Sequence, residues 1–158
     1  MSRFYTLSIG LVVCLGLLTS ACATRSSGLC GDWPKLASSV GDASALVAQG
    51  DSAWENRADE TQLRASIKAW SDALAIEPNR PDLRVKLARA HYFLADSHIE
   101  MDDTRPEEER QKEIVEHFKQ GANQAELALG QSYPGFRSAY CTKQNYKSQV
   151  QALDEKAL

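Results

Sequence analysis

The chain holds four cysteines and three histidines, the side chains best suited to metal ligation, nucleophilic attack and proton transfer. Their spacing argues against a catalytic centre. His91 and His98 stand seven residues apart, and on a helix that is two turns or roughly 10.5 Å, too far to hold one ion together. Asp96, His98 and Glu100 alternate too closely to share one helical face. His117 lies on a separate segment and could approach them only through the fold. The acidic run Glu107 to Glu109 suits the positive N-terminus of a helix rather than acid–base work. No Gly-x-Ser-x-Gly, phosphate-binding loop or His-Glu-x-x-His occurs. The histidines are therefore expected to be solvated or hydrogen-bonded. No enzyme, cofactor or metal site is expected.

The cysteines have a different logic. Leu7 to Leu18 is apolar, Arg3 is the only charge before it, and Thr19, Ser20 and Ala21 then lead into Cys22. About twelve apolar residues suit a signal-peptide core and fall short of the roughly 20 that span a membrane. Small residues ending on a cysteine resemble the bacterial lipobox, although Thr19 stands where an aliphatic residue is usual. Residues 1–21 are then a leader, and Cys22 becomes the lipidated N-terminus. Two or more acyl chains hold a protein stably on a membrane. Ala23, rather than Asp, after the cysteine points to the outer membrane. Cys14 leaves with the leader, which makes Cys30 and Cys141 a candidate disulfide in an oxidising compartment. Unpaired thiols are the alternative.

Removing the leader leaves 137 residues with 17 basic and 21 acidic side chains, a net charge of −4. That is one modest domain, without the basic patch that nucleic acid requires. The polar tract over 23–32 reads as part of a flexible tether over 22–41, followed by a helical domain over 42–158. Within it the spacing predicts an all-α fold, because no run alternates with period two. The expected helices are 43–58 with Asp42 as cap, 59–77 opened by the capping box Asp59-x-x-Gln62, 81–100, 107–130, and a weak one near 143–156. YPGFRSAY, over 133–140, is expected as loop or short helix. The third helix carries two apolar stripes, Leu83, Leu87, Ala90, Leu94 and Val85, Ala88, Tyr92, Ala95, Ile99, so burial is expected on two sides.

An internal echo follows. Leu63, Ile67, Trp70, Ala73 and Leu74 align with Phe118, Ala122, Ala125, Ala128 and Leu129, and a proline closes both segments. The pattern resembles the second helix of a tetratricopeptide repeat, and Leu87, Ala88, His91 and Tyr92 resemble the first. The distance from Pro78 to Pro134 is 56 positions, where one such repeat takes about 34. An insertion at MDDTRPEEER is implied.

The order of these segments, from Gly50 to Leu153, resembles the T-component (TatT) family of tripartite TRAP transporters. The resemblance rests on Ala53, Trp54 and Arg57, on Ala69 to Leu74, and on Leu87 to Asp96. It implies a lipoprotein of antiparallel, tetratricopeptide-like hairpins that accompanies the periplasmic solute-binding protein. Family members continue with more helices, so 42–158 is expected to be the N-terminal part of a longer domain.

Trp54, Arg57, Tyr92, Phe93 and Phe118 are the candidates for a groove or interface, while Trp70 is expected inside. The expected function is a membrane-tethered, periplasm-facing binding module for a solute-binding protein or a hydrophobic ligand, with self-association at an uncapped end of the array. The alternative is a general envelope-assembly or secretion accessory. Mass spectrometry of the native N-terminus should show an acylated Cys22, and Cys22→Ala should abolish the added mass. A chain beginning unmodified at another small residue would refute the anchor.

Overall fold

The computed structural model describes residues 28–30 and 39–142, which form one 3₁₀ turn and five α-helices with no strand among them. Cys22, most of the leader-proximal tract and the helix expected near 143–156 lie outside the described residues. The helices are α1 (Ser44–Glu55), α2 (Glu60–Ile76), α3 (Pro81–Phe93), α4 (Glu107–Ser132) and α5 (Pro134–Cys141).

Local chemistry explains the boundaries. Asp42 accepts the backbone N–H of Ser44 at 2.8 Å, while the N–H of Ala43 reaches across to the Glu77 carboxylate at 3.0 Å. One end of α1 is thereby tied to the far end of α2. Asp59 does cap α2, accepting from Thr61 at 2.7 Å, one residue earlier than a capping box requires. Pro81 opens α3, where a missing N–H costs nothing. The third helix does not stay regular to 100. Leu94–Ile99 widens into a π-helical turn, and Glu100 N–H reaches back five residues to Ala95 at 2.9 Å. Nor does α4 end at Gly130. It runs to Ser132 with that glycine buried inside it, and Pro134 opens α5.

α1 packs chiefly on α2, and α3 on α4, with α2 and α3 joining the two pairs. Both pairs are antiparallel. Ala43 meets Glu77 and Asp51 meets Trp70 in the first, and Arg84 meets Gln124 while His91 meets His117 in the second. Leu63, Trp70, Leu83, Leu87, Leu94 and Ile99 form the centre of the core. Trp70 is 2% exposed, and Gly50 passes directly over its indole. Of the two stripes on the third helix, the first is wholly buried. The second is covered only at Ala95 and Ile99, for Val85 and Tyr92 are each 57% exposed. Burial on two sides is therefore incomplete.

Part of the expected tether is packed. Gly28–Cys30 forms the 3₁₀ turn, Leu29 is buried against α4 and α5, and Arg137 donates to its carbonyl at 2.9 Å. Cys30 is bonded to Cys141, with Cα atoms 5.3 Å apart. Leu29 is the one sizeable apolar residue among residues 23–32, and its burial explains why the chain docks here.

Because Trp70 touches both neighbouring helices, Trp70→Ala should lower unfolding free energy by roughly 3–5 kcal/mol. Urea denaturation measures this. An unchanged midpoint would mean that the indole carries no packing energy.

Candidate functional site

The five candidate residues fall on two faces of the molecule. Tyr92 and Phe93 are consecutive on α3, so their side chains leave the helix about 100° apart and serve opposite walls.

The first face is a cleft of about 300 Å³ lined by Asp51, Trp54 and Glu55 of α1, Trp70 of α2, and Lys86 and Arg89 of α3. Half-buried Trp54 is its platform. Its ring lies 5.8 Å from that of Trp70 and 5.9 Å, edge-on, from that of Phe93. Two guanidinium groups approach the same indole, Arg57 at 4.8 Å and Arg89 at 4.9 Å, within the range of cation–π attraction. Arg57 sits in the turn after α1, held by a bond from its guanidinium to the Trp54 carbonyl at 3.2 Å. The π-helical turn completes the support. His98 contacts the Arg57 carbonyl at 3.0 Å through Nε2 and stands edge-on to Phe93, five residues earlier. A wider turn brings residues five apart onto one side.

The floor of the cleft is polar but paired. One Asp51 oxygen accepts from Trp70 Nε1 at 3.0 Å and from Lys86 at 2.5 Å. Lys86 and Asp51 thus answer each other's charge. Arg89 is different: it is exposed, and among the described residues it meets the Trp54 ring but no carboxylate. Asp51, Lys86 and Arg89 escaped the sequence reading. Their signal was there, since Asp51 and Trp54 stand at i, i+3 and Lys86, Arg89 and Phe93 at i, i+3, i+7.

The second face is a groove of about 350 Å³ between α3 and α4, lined by Ala88, Tyr92, Phe118, Gly121, Ala122 and Ala125. The rings of Tyr92 and Phe118 meet along it with centroids 5.6 Å apart and planes tilted by 43°. Gly121 sets its depth, because a Cβ there would come within 3.1 Å of the Ala88 carbonyl.

His91 and His117, which sequence spacing left unconnected, do meet. Their Nδ1 atoms are 2.9 Å apart and their rings are inclined by only 30°. The centroid distance of 5.1 Å exceeds that separation by about two ring radii, so the nitrogens face each other along one line. One imidazole donates and the other accepts. Burial, and then repulsion from His117, holds the His91 pKa down to about 4. His117 is lowered by burial and by Arg64. Beyond His117 stands Glu113, 3.7 Å from its Nε2. Glu113 also takes Arg64 and Arg105, each at 2.7 Å, and both arginines bind Glu60. Burial alone would raise the Glu60 and Glu113 carboxyls, but the arginine contacts carry both below the usual range. This network fastens the segment between the π turn and α4. Among the described residues, no three His, Cys, Asp or Glu side chains converge as a metal site.

No family model, curated protein or solved structure matches the chain. Among the described residues no helix is long and apolar enough to cross a membrane.

The histidine pair makes stability depend on pH. A pKa depressed in the folded state means that the unfolded chain binds protons more readily between about pH 6.5 and 4. The stabilisation is complete above that window and is lost as pH falls through it. Going from pH 7.5 to 5.5 should cost roughly 1 kcal/mol, visible as a lower melting temperature. His91→Gln should flatten that slope, and a parallel slope in the variant would place the titration elsewhere.

Proposed function

We propose that the chain is a lipid-anchored, non-catalytic binding module of tetratricopeptide-like helical hairpins. It faces the periplasm, and it serves a TRAP-type transporter by engaging the periplasmic solute-binding protein. The observation that carries this reading is the Trp54 cleft. Tryptophan and arginine dominate the energetics of protein–protein interfaces, and here one half-buried indole has two guanidinium groups against it. Among the described residues Arg89 meets no carboxylate, which suits it to an acidic group on a partner, and the paired floor of Asp51, Lys86 and Trp70 gives the platform rigidity. The same rigidity lowers the ordering cost of binding.

The anchor constrains how such a module would sit. Cys30 is fixed to Cys141 at the end of α5. The seven peptide links from Cys22 to Leu29 span at most about 25 Å when extended. A lipid on Cys22 would therefore hold the α4–α5 end close to the membrane.

The test is binding of the full chain, in detergent, to the purified solute-binding protein of the cognate transporter. Arg89→Ala and Trp54→Ala should each weaken it ten- to a hundredfold, equivalent to about 1.4–2.8 kcal/mol. Arg89→Ala should keep its melting curve, since the side chain is exposed. If the solute-binding protein fails to bind while an envelope-assembly component does, the module is a general envelope accessory. If both variants bind normally, the cleft is not the interface.

A further inference from the structure

The Trp54 cleft is lined by opposite charges from two helices. Asp51 and Glu55 stand at i, i+4 on α1, and Lys86 and Arg89 at i, i+3 on α3. Trp54 and Trp70 lie among them. One charge of each helix is already answered, because Asp51 takes Lys86 as well as the Trp70 indole. Glu55 and Arg89 are left. Both are exposed, and among the described residues neither pairs with a side chain of opposite charge. A carboxylate and a guanidinium that line one cleft without closing on each other suit a molecule that carries both charges.

We infer that the cleft binds a small zwitterion with an apolar substituent, an α-amino acid of the leucine or phenylalanine kind. Its carboxylate goes to Arg89, its ammonium to Glu55, and its side chain lies against half-buried Trp54. The charges of the cleft disfavour simpler ligands. An anion would gain Arg89 but share the cleft with the Glu55 carboxylate. A cation would gain Glu55 but share it with Arg89. The Trp54 ring offers a cation no refuge, since Arg57 and Arg89 already stand 4.8 Å and 4.9 Å from its centre. A dipolar ligand answers both groups, each through a charge-assisted hydrogen bond, the stronger kind. Size agrees with this class. About 300 Å³ lies at the small end of ligand pockets and suffices for one amino acid. Asp51, Lys86 and Trp70, bonded to one another, hold the floor without competing for the ligand. The inference rests on the reading of the Trp54 cleft as a binding site, but not on the solute-binding protein as its occupant.

Equilibrium dialysis of the full chain in detergent, corrected with protein-free micelles, tests this at neutral pH. The probes are L-leucine and L-phenylalanine, with 3-phenylpropionate, which keeps only the carboxylate, and phenethylamine, which keeps only the ammonium. L-phenylalanine should bind roughly tenfold more tightly than either one-charge analogue. Glu55→Gln should erase its margin over 3-phenylpropionate, and Arg89→Ala its margin over phenethylamine. Both side chains are exposed, so both variants should keep native melting curves. No solute-binding protein takes part, so a failure here leaves the transporter reading standing, and the reverse also holds. Retention of neither amino acid would overturn the inference. So would 3-phenylpropionate binding as tightly as L-phenylalanine, which would make the cleft a site for acidic groups alone. Unchanged margins in both variants would place the amino acid elsewhere on the chain and overturn it too.

Discussion

The contact between Gly50 and Trp70 governs the first half of the molecule. A side chain at position 50 would collide with the indole, so only glycine lets α1 descend far enough to cover it. That descent brings Asp51 onto Trp70 Nε1, which satisfies a donor that burial would otherwise leave unpaired. The same carboxylate then recruits Lys86 from α3. One aromatic side chain thus fixes the spacing of α1 and α2 and the approach of α3. The Trp54 platform is a consequence, because its position is set by the neighbour beneath it.

α3 is the wall that both candidate faces share. Its buried stripe of Leu83, Leu87, Ala90 and Leu94 holds it in the core, leaving the flanks on either side available. Phe93 closes one flank against Trp54 and Arg57, and Tyr92 opens the other beside Phe118. The π turn that follows allows this division. By reaching back five residues rather than four it changes the facing of the residues after Phe93, and His98 comes beneath the Arg57 turn while Ile99 stays buried. A regular helix would carry His98 about one residue's rotation away from that carbonyl.

The helical class and the helix positions were legible because amphipathic spacing and proline punctuation are local. The interior place of Trp70 was legible for the same reason, since it shares a stripe with Leu63 and Leu74. What escaped depends on how helices meet. Nothing in the chain says that His117 will find His91, because that pairing needs the antiparallel register of α3 and α4. The candidates Trp54 and Phe118 could be listed together by residue type, but separating them onto different faces required knowing which side of α3 each helix takes. The π turn was invisible too, for LADSHI has no local signal against an ordinary turn. The composition of 23–32 suggested a tether, and one buried leucine beside a cysteine was enough to dock part of it.

Register between α3 and α4 is itself a physical problem. Their contact is rich in alanine and glycine, and such smooth surfaces can slide by a helical turn at little cost in apolar burial. Polar groups remove that freedom. Arg84, buried and with its pKa lowered by desolvation, donates hydrogen bonds to the side-chain oxygens of Gln124 at 2.9 Å and Gln131 at 3.0 Å and to the Pro78 carbonyl at 3.3 Å. Gln131 donates to that same carbonyl. Two turns further along α3, His91 meets His117 in a bond that only one alignment makes linear. A slip of one turn would strand a guanidinium and an imidazole away from water, a cost of several kcal/mol against a nearly neutral change in packing. Buried polar contacts of this kind add little net stability but discriminate strongly between alignments. The depth of the Gly121 groove, and the meeting of Tyr92 with Phe118 along it, follow from the register that these contacts enforce.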